Sequence, residues 1–374
     1  MVVVLLVLMA LFVAYANGAN DNFKGVATLY GSNTTNFKTA LFIGTIATFA
    51  GCVSSVFLAE ALVKTFSGKG LVPDVIAASP EFLLAVAAGA ASTVMIATVV
   101  GIPISTTHAL TGALVGAGYT AAGPELNLSV LGAVFLLPLL LSPLVSVLLT
   151  MICYNIASAS RTALGIGKES CICVGSSEFV PTSDLVLDNT NANSTFADST
   201  GVVVGTVDDC VDKYSGKLSG VSAQSFVDGL HYLSGAVVSF ARGLNDTPKI
   251  VGLLLVIQAV NIQVSMFAIA IAMATGGLVS SRKVAETMSK KISGMNDGQA
   301  LIANLVTAFM VIFASRLGMP VSTTHVSVGA ISGAGIVRGT AHTSVIGGIL
   351  LSWVLTLPLA AVMAALAYAS LEIG

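Results

Sequence analysis

The stretch GIPISTTHALTGALVGAG, at Gly101–Gly118, returns later in the chain as GMPVSTTHVSVGAISGAG at Gly318–Gly335, with 11 of the 18 positions identical. A second pair lies upstream in the same order: ANGANDNFKGV at Ala16–Val26 matches ARGLNDTPKIV at Ala241–Val251 at six of 11 positions. The copies are 217 residues apart in the first pair and 225 in the second, which is nearly the same spacing. Such self-similarity indicates a duplicated unit, so we expect two related halves.

The composition indicates that lipid is the solvent for most of this chain. Of the 374 residues, 55% are hydrophobic and only 9% are charged. The mean hydropathy is +0.93, whereas a soluble domain carries about 25% charged residues. These values exclude a soluble enzyme, and a net charge of −2 excludes an electrostatic nucleic-acid binder.

Ten apolar segments approach or exceed the roughly 20 residues that cross a bilayer as a helix. A chain in hydrocarbon must satisfy its backbone hydrogen bonds internally, so these segments predict helices and not barrel strands. The predicted fold class is an all-α polytopic membrane protein. In each half we expect a broken first helix and a re-entrant-type hairpin around the PxSTTH block. The segments are about 2–29 and 222–260, each with a break, and 39–63, 81–100, 104–119, 128–156, 263–280, 299–315, 321–337 and 343–371.

The predicted domains are a first membrane repeat at 1–156, a polar insert at 157–221 and a second membrane repeat at 222–374. An odd number of crossings in each half inverts one half relative to the other, which is the signature of a secondary transporter. Four basic residues within 282–291 favour a cytoplasmic position for that loop. The count then puts both termini outside the cell membrane and the insert in the cytoplasm, as a solvated linker or, alternatively, a docking segment. In the insert, GVVVGTV at Gly201–Val207 is consistent with a strand.

Two Asn-Asp pairs lie in the middle of apolar segments, at Asn20-Asp21 and Asn245-Asp246, each two residues after a glycine that can unwind a helix. A carboxylate at the bilayer centre costs on the order of 3 kcal/mol or more, so two at equivalent positions need a reason. Unwound carbonyls with Asn and Asp oxygens make an all-oxygen shell suited to Na⁺, or a carboxylate for H⁺. The alternative is that these residues only link helices through polar contacts.

The two PxSTTH blocks supply hydrogen-bond donors. A proline fits the first turn of a helix, and the hydroxyls that follow lie beside free backbone N–H groups at a positive dipole end. Two such helix starts, brought together by the repeat, make a cage for a tetrahedral oxyanion. The alternative is that the hydroxyls only cap the helix ends and the following glycines only allow close packing against neighbouring helices. The predicted anion-binding residues are Ser105, Thr106, Thr107, Ser322, Thr323 and Thr324, bordered by Asp21 and Asp246.

Other duplicated polar residues have more than one interpretation. Lys24 and Lys249 follow the two aspartates by three residues, and they neutralise the acids or an anion, or extend to a membrane interface. His108 and His325 close the two blocks, and we expect core histidines that donate to a backbone carbonyl rather than titrating groups. We expect no metal site other than one for Na⁺.

Charge balance constrains the mechanism. Two carboxylates plus HPO₄²⁻ total about four negative charges, so anion binding is expected to require at least two cations. The same coupling would let a membrane gradient drive uptake. An anion channel explains the donors but not the two acids, and an intramembrane aspartyl hydrolase explains only the acids. We therefore expect a carrier and not an enzyme.

Both membrane halves resemble the inorganic phosphate transporter (PiT) family, whose members carry duplicated GxND and PxSTTH blocks in inverted halves. The resemblance implies a homodimeric symporter of inorganic phosphate and Na⁺, with Asn20, Asp21, Asn245 and Asp246 at the sodium sites. It also implies phosphate at the two Ser-Thr-Thr triplets. This chain departs from the family at Asn22–Gly25, NFKG, where many members have small residues. Some relatives use H⁺ or carry sulfate, which leaves a proton-coupled phosphate or sulfate permease as the alternative.

Overall fold

The computed structural model describes residues 1–166, 170–176, 200–206, 219–255 and 261–373. The chain divides into two compact units. One comprises Met1–Asn155 and His231–Gly374, and the other comprises Ile156–Leu230. Much of the polar insert predicted at 157–221 therefore lies outside the described residues.

Long helices make up most of the described chain, and we number these ten in chain order. Short helical turns at 27–31, 60–65, 74–77, 123–125, 128–136, 252–254 and 282–291 connect them. The long helices are α1 (Val2–Asp21), α2 (Phe37–Leu58), α3 (Pro80–Val100), α4 (Thr106–Ala122), α5 (Leu137–Ala163), α6 (Ala223–Val251), α7 (Ile262–Ser280), α8 (Asp297–Arg316), α9 (Thr323–Arg338) and α10 (Thr343–Ile373).

Seven helices among the described residues are long and apolar enough to cross a bilayer. Helices α4 and α9, which follow the PxSTTH prolines, are shorter, with 17 and 16 residues. These lengths confirm the prediction of a polytopic helical membrane protein. The inverted orientation of the two halves stays a prediction.

The smaller unit contains a three-stranded antiparallel sheet, which adds to the all-helical prediction. Its strands are β1 (Ser170–Ser176), β2 (Thr200–Thr206) and β3 (Ser219–Ser222), in the order β2-β1-β3. Ser170 is paired with Thr206, and Cys171 with Ser222. The strand predicted within Gly201–Val207 is present, as its run of β-branched valines favours.

The predicted break of the first helix occurs in only one of the two halves. Helix α1 ends at Asp21, and a turn leads into the short helix Ala27–Gly31. The break predicted in the second half is wrong, because α6 continues through Asn245-Asp246 to Val251, with Pro248 inside it. Gly25 in the first copy corresponds to the β-branched Ile250 in the second, so only the first copy has a flexible residue after its lysine.

The glycines before the Asn-Asp pairs permit close packing and do not unwind the helices. A Cβ atom on Gly18 would lie 1.9 Å from the carbonyl oxygen of Met273, in α7. A Cβ atom on Gly243 would lie 2.2 Å from the carbonyl oxygen of Thr48, in α2. Both glycines lie inside continuous helix, so the unwinding role expected of them is wrong.

Each duplicated PxSTTH block is introduced by a glycine that requires its special backbone conformation. Gly101 ends α3 with φ at +84°, and Gly318 follows α8 with φ at +69°. Both values lie in the left-handed region, which a residue with a Cβ atom adopts only with strain. The following residues are extended and lead into α4 and α9, so that α3 with α4, and α8 with α9, form two equivalent helical hairpins.

The glycine-rich faces of these hairpins pack crosswise between the halves. A Cβ atom on Gly116, in α4, would lie 1.9 Å from the carbonyl oxygen of Ala361, in α10. One on Gly333, in α9, would lie 2.6 Å from the carbonyl oxygen of Val147, in α5. The hairpin of each half therefore packs on the last helix of the other half, so the two copies make equivalent contacts.

Candidate functional site

The predicted site residues come together where α1 ends and where α4 and α9 begin. Thr106 Oγ1 donates a hydrogen bond to Asp21 Oδ2 at 3.2 Å, which joins the start of α4 to the end of α1. Asn245 Nδ2 donates to the carbonyl oxygen of Val321 at 3.2 Å, which joins α6 to the residues that precede α9. All of the predicted site residues are at least 96% buried, so the site is closed to solvent.

The two carboxylates are linked by one amide. Asn17 Nδ2 donates to Asp21 Oδ2 and to Asp246 Oδ2, each at 3.2 Å, and to Thr106 Oγ1 at 3.0 Å. Asp21 and Asp246 come from opposite halves of the chain. A single polar centre therefore combines both copies of the Asn-Asp pair.

The Lys24 ammonium lies in a shell of oxygen atoms from both halves. It donates to Asn20 Oδ1 at 2.9 Å, to the Ile104 carbonyl oxygen at 2.7 Å and to Thr324 Oγ1 at 2.6 Å. It also forms an ion pair with Asp21 Oδ1. The side chain is fully enclosed, which rules out extension to a membrane interface and favours neutralisation of the acid.

Lys249 has the equivalent contacts in the second half. Its Nζ donates to the Val321 carbonyl oxygen at 2.9 Å, to Asp246 Oδ1 at 3.1 Å and to Thr107 Oγ1 at 2.7 Å. Each lysine thus contacts an aspartate and a carbonyl of its own half and a threonine of the other half. The two copies therefore make equivalent, reciprocal contacts.

Arg242 is the functional candidate that sequence reasoning missed. Its guanidinium is 1% exposed, and Nε lies 3.6 Å from Asp246 Oδ2. Nη2 donates to Asn17 Oδ1 at 2.6 Å, and Nη1 donates to Asn22 Oδ1 at 3.1 Å. In the aligned blocks ANGAND and ARGLND, Arg242 occupies the position of Asn17. This replacement of an amide by a charged group is the sequence feature that could have identified Arg242 as a site residue.

The buried charges at this centre sum to one positive. Lys24, Lys249 and Arg242 contribute three positive charges, and Asp21 and Asp246 contribute two negative ones. The expectation that an anion needs at least two cations counted the carboxylates without these bases, so it stays a prediction whose charge count the structure changes. With all five groups in their charged forms, the buried centre is positive rather than negative.

The serines and threonines divide between capping and the polar centre. Ser105 and Ser322 cap α4 and α9, accepting from the backbone N–H of His108 at 3.1 Å and of His325 at 3.2 Å. This agrees with the capping alternative for the two serines. The N–H groups of the two residues that open each helix have no intrahelical acceptor. Those four donors belong to Thr106, Thr107, Thr323 and Thr324.

Two threonine hydroxyls form hydrogen bonds with the opposite half of the chain. Thr107 Oγ1 donates to the Val321 carbonyl oxygen at 3.2 Å, and Thr324 Oγ1 donates to the Ile104 carbonyl oxygen at 2.9 Å. Each hydroxyl also accepts from a lysine of the other half. Among the described residues, the buried Thr323 side chain has no hydrogen-bond partner.

The Asn side chains of the two copies differ in orientation. Asn20 presents Oδ1 to Lys24 and to the N–H of Ile104, so its oxygen belongs to the shell. Asn245 presents Nδ2 to Asp246 Oδ1 at 3.1 Å, while its oxygen accepts from Ser315 Oγ at 3.1 Å. The first-half shell is therefore richer in oxygen than the second.

The two histidines lie next to each other, one near the start of α4 and one near the start of α9. Their ring centroids are 4.4 Å apart, and the His325 ring stacks on Trp353 at 3.7 Å. His325 Nδ1 lies 3.2 Å from the Leu139 carbonyl oxygen, as expected of a core histidine, whereas the buried His108 Nδ1 has no hydrogen-bond partner. Across the described residues, no group of three or more His, Cys, Asp or Glu side chains could hold a metal ion.

Comparison with known proteins agrees with this architecture. The profile of the Phosphate transporter family matches residues 17–364. A putative phosphate permease of Pyrococcus abyssi is 27% identical over 97% of this chain and 96% of its own. A probable low-affinity inorganic phosphate transporter of Bacillus subtilis is 24% identical over 98% and 96%. A solved structure titled "The sodium-dependent phosphate transporter" has the same fold, with a TM-score of 0.76 at 21% identity, covering 100% of this chain and 99% of that one.

Proposed function

Because the chain belongs to the phosphate transporter family, we propose that it is a secondary carrier that imports inorganic phosphate together with Na⁺. The observation that carries this proposal is the centre of three buried bases and two helix starts around Asp21 and Asp246. A centre of this kind, buried inside membrane helices, is characteristic of a carrier site and not of a structural ion pair.

The anion would bind at the starts of α4 and α9. The unpaired N–H groups of Thr106, Thr107, Thr323 and Thr324 provide neutral donors at two positive dipole ends. Hydroxyls and buried bases provide charge-assisted hydrogen bonds, which are shorter and stronger than neutral ones. Ser105 and Ser322 would hold both helix starts in place through their caps. A tetrahedral oxyanion matches this convergence of donors from two directions.

The coupling ion would bind in the oxygen shells. Asn20, Asp21, Asn245 and Asp246 are the proposed sodium ligands, joined by the carbonyl groups of Ile104 and Val321, and Asn245 would first turn its amide so that Oδ1 replaces Nδ2 in the shell. The net charge supports coupling to a single cation. One positive charge at the site, HPO₄²⁻ and one Na⁺ sum to zero, and a neutral complex avoids the cost of moving net charge through the hydrocarbon.

One observation favours a second candidate, a proton-coupled phosphate carrier. The two ammonium groups already lie in the oxygen shells, so Na⁺ is not required to neutralise the carboxylates. A channel receives less support, because the site is closed to solvent rather than open along a pore.

Uptake of radiolabelled phosphate into proteoliposomes tests the proposal. We expect accumulation with an inward Na⁺ gradient, little with an H⁺ gradient or with none, and poor competition by sulfate. Uptake driven only by H⁺ would select the second candidate. No accumulation under any gradient would reject the phosphate carrier.

We further propose that the carrier is a homodimer in the cell membrane, with inverted halves and both termini outside. The four basic residues within 282–291 support the orientation, since positive loops stay in the cytoplasm. Single cysteines introduced at Lys283 and at Val75, both exposed, are labelled with a membrane-impermeant reagent in intact cells to test the sidedness. We expect protection of the first, in the basic loop, and labelling of the second, in the equivalent loop before α3, and the reverse pattern would contradict the orientation.

A further inference from the structure

We propose that Lys24 and Lys249 determine the cation dependence of this carrier, because each ammonium group occupies the oxygen shell in which a coupling ion would bind. Na⁺ then binds only when the ammonium leaves its shell, and the displaced ammonium becomes available to the anion. This inference rests on the proposed function, since it concerns the same site.

The environment of Lys24 resembles that of a bound ion more than a set of matched hydrogen bonds. An ammonium group has three protons, whereas four oxygen atoms surround Lys24 Nζ: a carboxylate, an amide, a carbonyl and a hydroxyl oxygen. Lys249 Nζ has three such oxygens, of carboxylate, carbonyl and hydroxyl type. Hard oxygen ligands of these types are the ones that alkali and alkaline-earth ions use.

Two cations cannot share one shell. Na⁺ at the Asp21 and Ile104 oxygens would lie within a few ångströms of Lys24 Nζ, and like charges this close repel strongly in a buried site. The Lys24 stem is flexible and its head is a compact charge, so the ammonium can move to another acceptor without rearrangement of the helices. Competition between a tethered and a free cation follows from this geometry.

The displaced ammonium has a nearby destination. Lys24 Nζ contacts Thr324, and Lys249 Nζ contacts Thr107, and these residues open the helices whose N–H groups face the proposed anion. An ammonium that leaves its shell can therefore donate to the anion instead. Na⁺ binding and anion binding then strengthen each other through the lysines.

The variant Lys24→Gln tests the proposal, with Lys38→Gln, on an exposed lysine of α2, as the matched control. The half-saturating Na⁺ concentration for phosphate uptake is measured with choline as the replacement ion. We expect it to fall by about tenfold or more in Lys24→Gln, because the competing charge is absent. The apparent affinity for phosphate is expected to weaken in the same variant. Lys38→Gln is expected to behave as the wild type.

The opposite directions of these two changes distinguish competition from structural damage. A merely structural lysine would weaken Na⁺ and phosphate together, and that result would overturn the proposal, as would an unchanged Na⁺ requirement. If Lys24→Gln does not reach the membrane, Lys24→Arg retains the charge, and its half-saturating Na⁺ concentration should equal or exceed that of the wild type. A clear fall in Lys24→Arg would contradict competition.

This inference and the proposed function fail in different ways. A wild-type protein driven only by H⁺, with a Lys24→Gln variant that becomes sensitive to Na⁺, would support the inference and reject Na⁺ as the natural coupling ion. If Na⁺ drives uptake by the wild-type protein and Lys24→Gln has the same half-saturating Na⁺ concentration, the proposed function is supported and the inference is rejected. If no phosphate is transported, the rise in melting temperature on adding Na⁺ to detergent-solubilised protein is compared. A larger rise in Lys24→Gln than in wild type is expected, and an equal rise would overturn the inference.

Discussion

At the scale of residues, the polar centre shows why duplicated side chains need not have equal roles. Asp21 and Asp246 each pair with a lysine three residues later, as the repeat predicts. Asn17 and Arg242 occupy equivalent positions, yet one bridges both carboxylates and the other adds a charge. The duplication therefore determines where equivalent side chains lie, and the residue differences between the copies determine the net charge of the centre.

The replacements Asp21→Asn and Asp246→Asn should each abolish coupled uptake. An amide keeps the shape of the side chain but leaves a buried base unpaired, and loss of one partner of a buried charge pair costs about 2 to 5 kcal/mol. Phosphate uptake into proteoliposomes measures the effect, with Asp74→Asn at an exposed helix start as the control. Normal Na⁺ dependence in either variant would remove that aspartate from the ion site.

The sequence allowed prediction of both aspartates and both triplets but not of the bases around them. A lysine three residues after an aspartate has the same spacing whether it is buried or extends to an interface. The sequence therefore could not decide between these two roles for Lys24 and Lys249. Their role depends on Ile104, Thr324, Thr107 and Val321, which approach only in the folded chain. Arg242 could have been found from the aligned copies, because no other position in that block exchanges an amide for a charge.

At the scale of elements, close backbone packing positions the helix starts. Glycines on α4 face carbonyl groups of α10, and glycines on α9 face carbonyl groups of α5. Small residues let membrane helices approach closely where no hydrophobic driving force exists. This glycine spacing in both PxSTTH copies predicted tight packing, although it could not identify the partner helices.

The replacement Gly116→Ala tests the packing of α4 on α10. The added Cβ atom would lie 1.9 Å from a backbone carbonyl oxygen, so the helices must separate, at a cost of about 1 to 3 kcal/mol. We expect a lower melting temperature in detergent. Gly347→Ala is the matched control, because open space surrounds its Cβ position within α10 and alanine favours the helix. Equal melting temperatures for the two variants would show that α4 is free to adjust.

The break in the first helix illustrates where element prediction failed. Periodicity and an Asn-Asp pair are the same in both copies, yet α1 ends at Asp21 while α6 continues to Val251. The outcome depends on the four residues that follow each aspartate, and on Arg242, which pairs with Asp246 one turn along the helix. A repeat in sequence therefore predicts equivalent placement better than equivalent local conformation.

At the scale of the whole molecule, the site exists only because the halves exchange contacts. Each lysine of the centre donates a hydrogen bond to a threonine of the other half. The hairpin of each half packs on the last helix of the opposite half. Neither half alone assembles the centre. The repeat indicated that two equivalent ion sites would meet. That they form one centre with a net positive charge depends on contacts between residues of opposite halves, which only the folded structure shows.

The most direct test of this account is the equilibrium binding of radiolabelled phosphate to purified protein, compared between the wild type, Arg242→Gln and Arg338→Gln. Arg242 is buried at the crossing, whereas Arg338 is exposed at the end of α9. We predict that Arg242→Gln weakens binding by about tenfold or more, because it removes the charge that makes the centre positive. Arg338→Gln should bind as the wild type does. Unchanged phosphate affinity in Arg242→Gln, with a folded protein, would contradict a phosphate site at this centre.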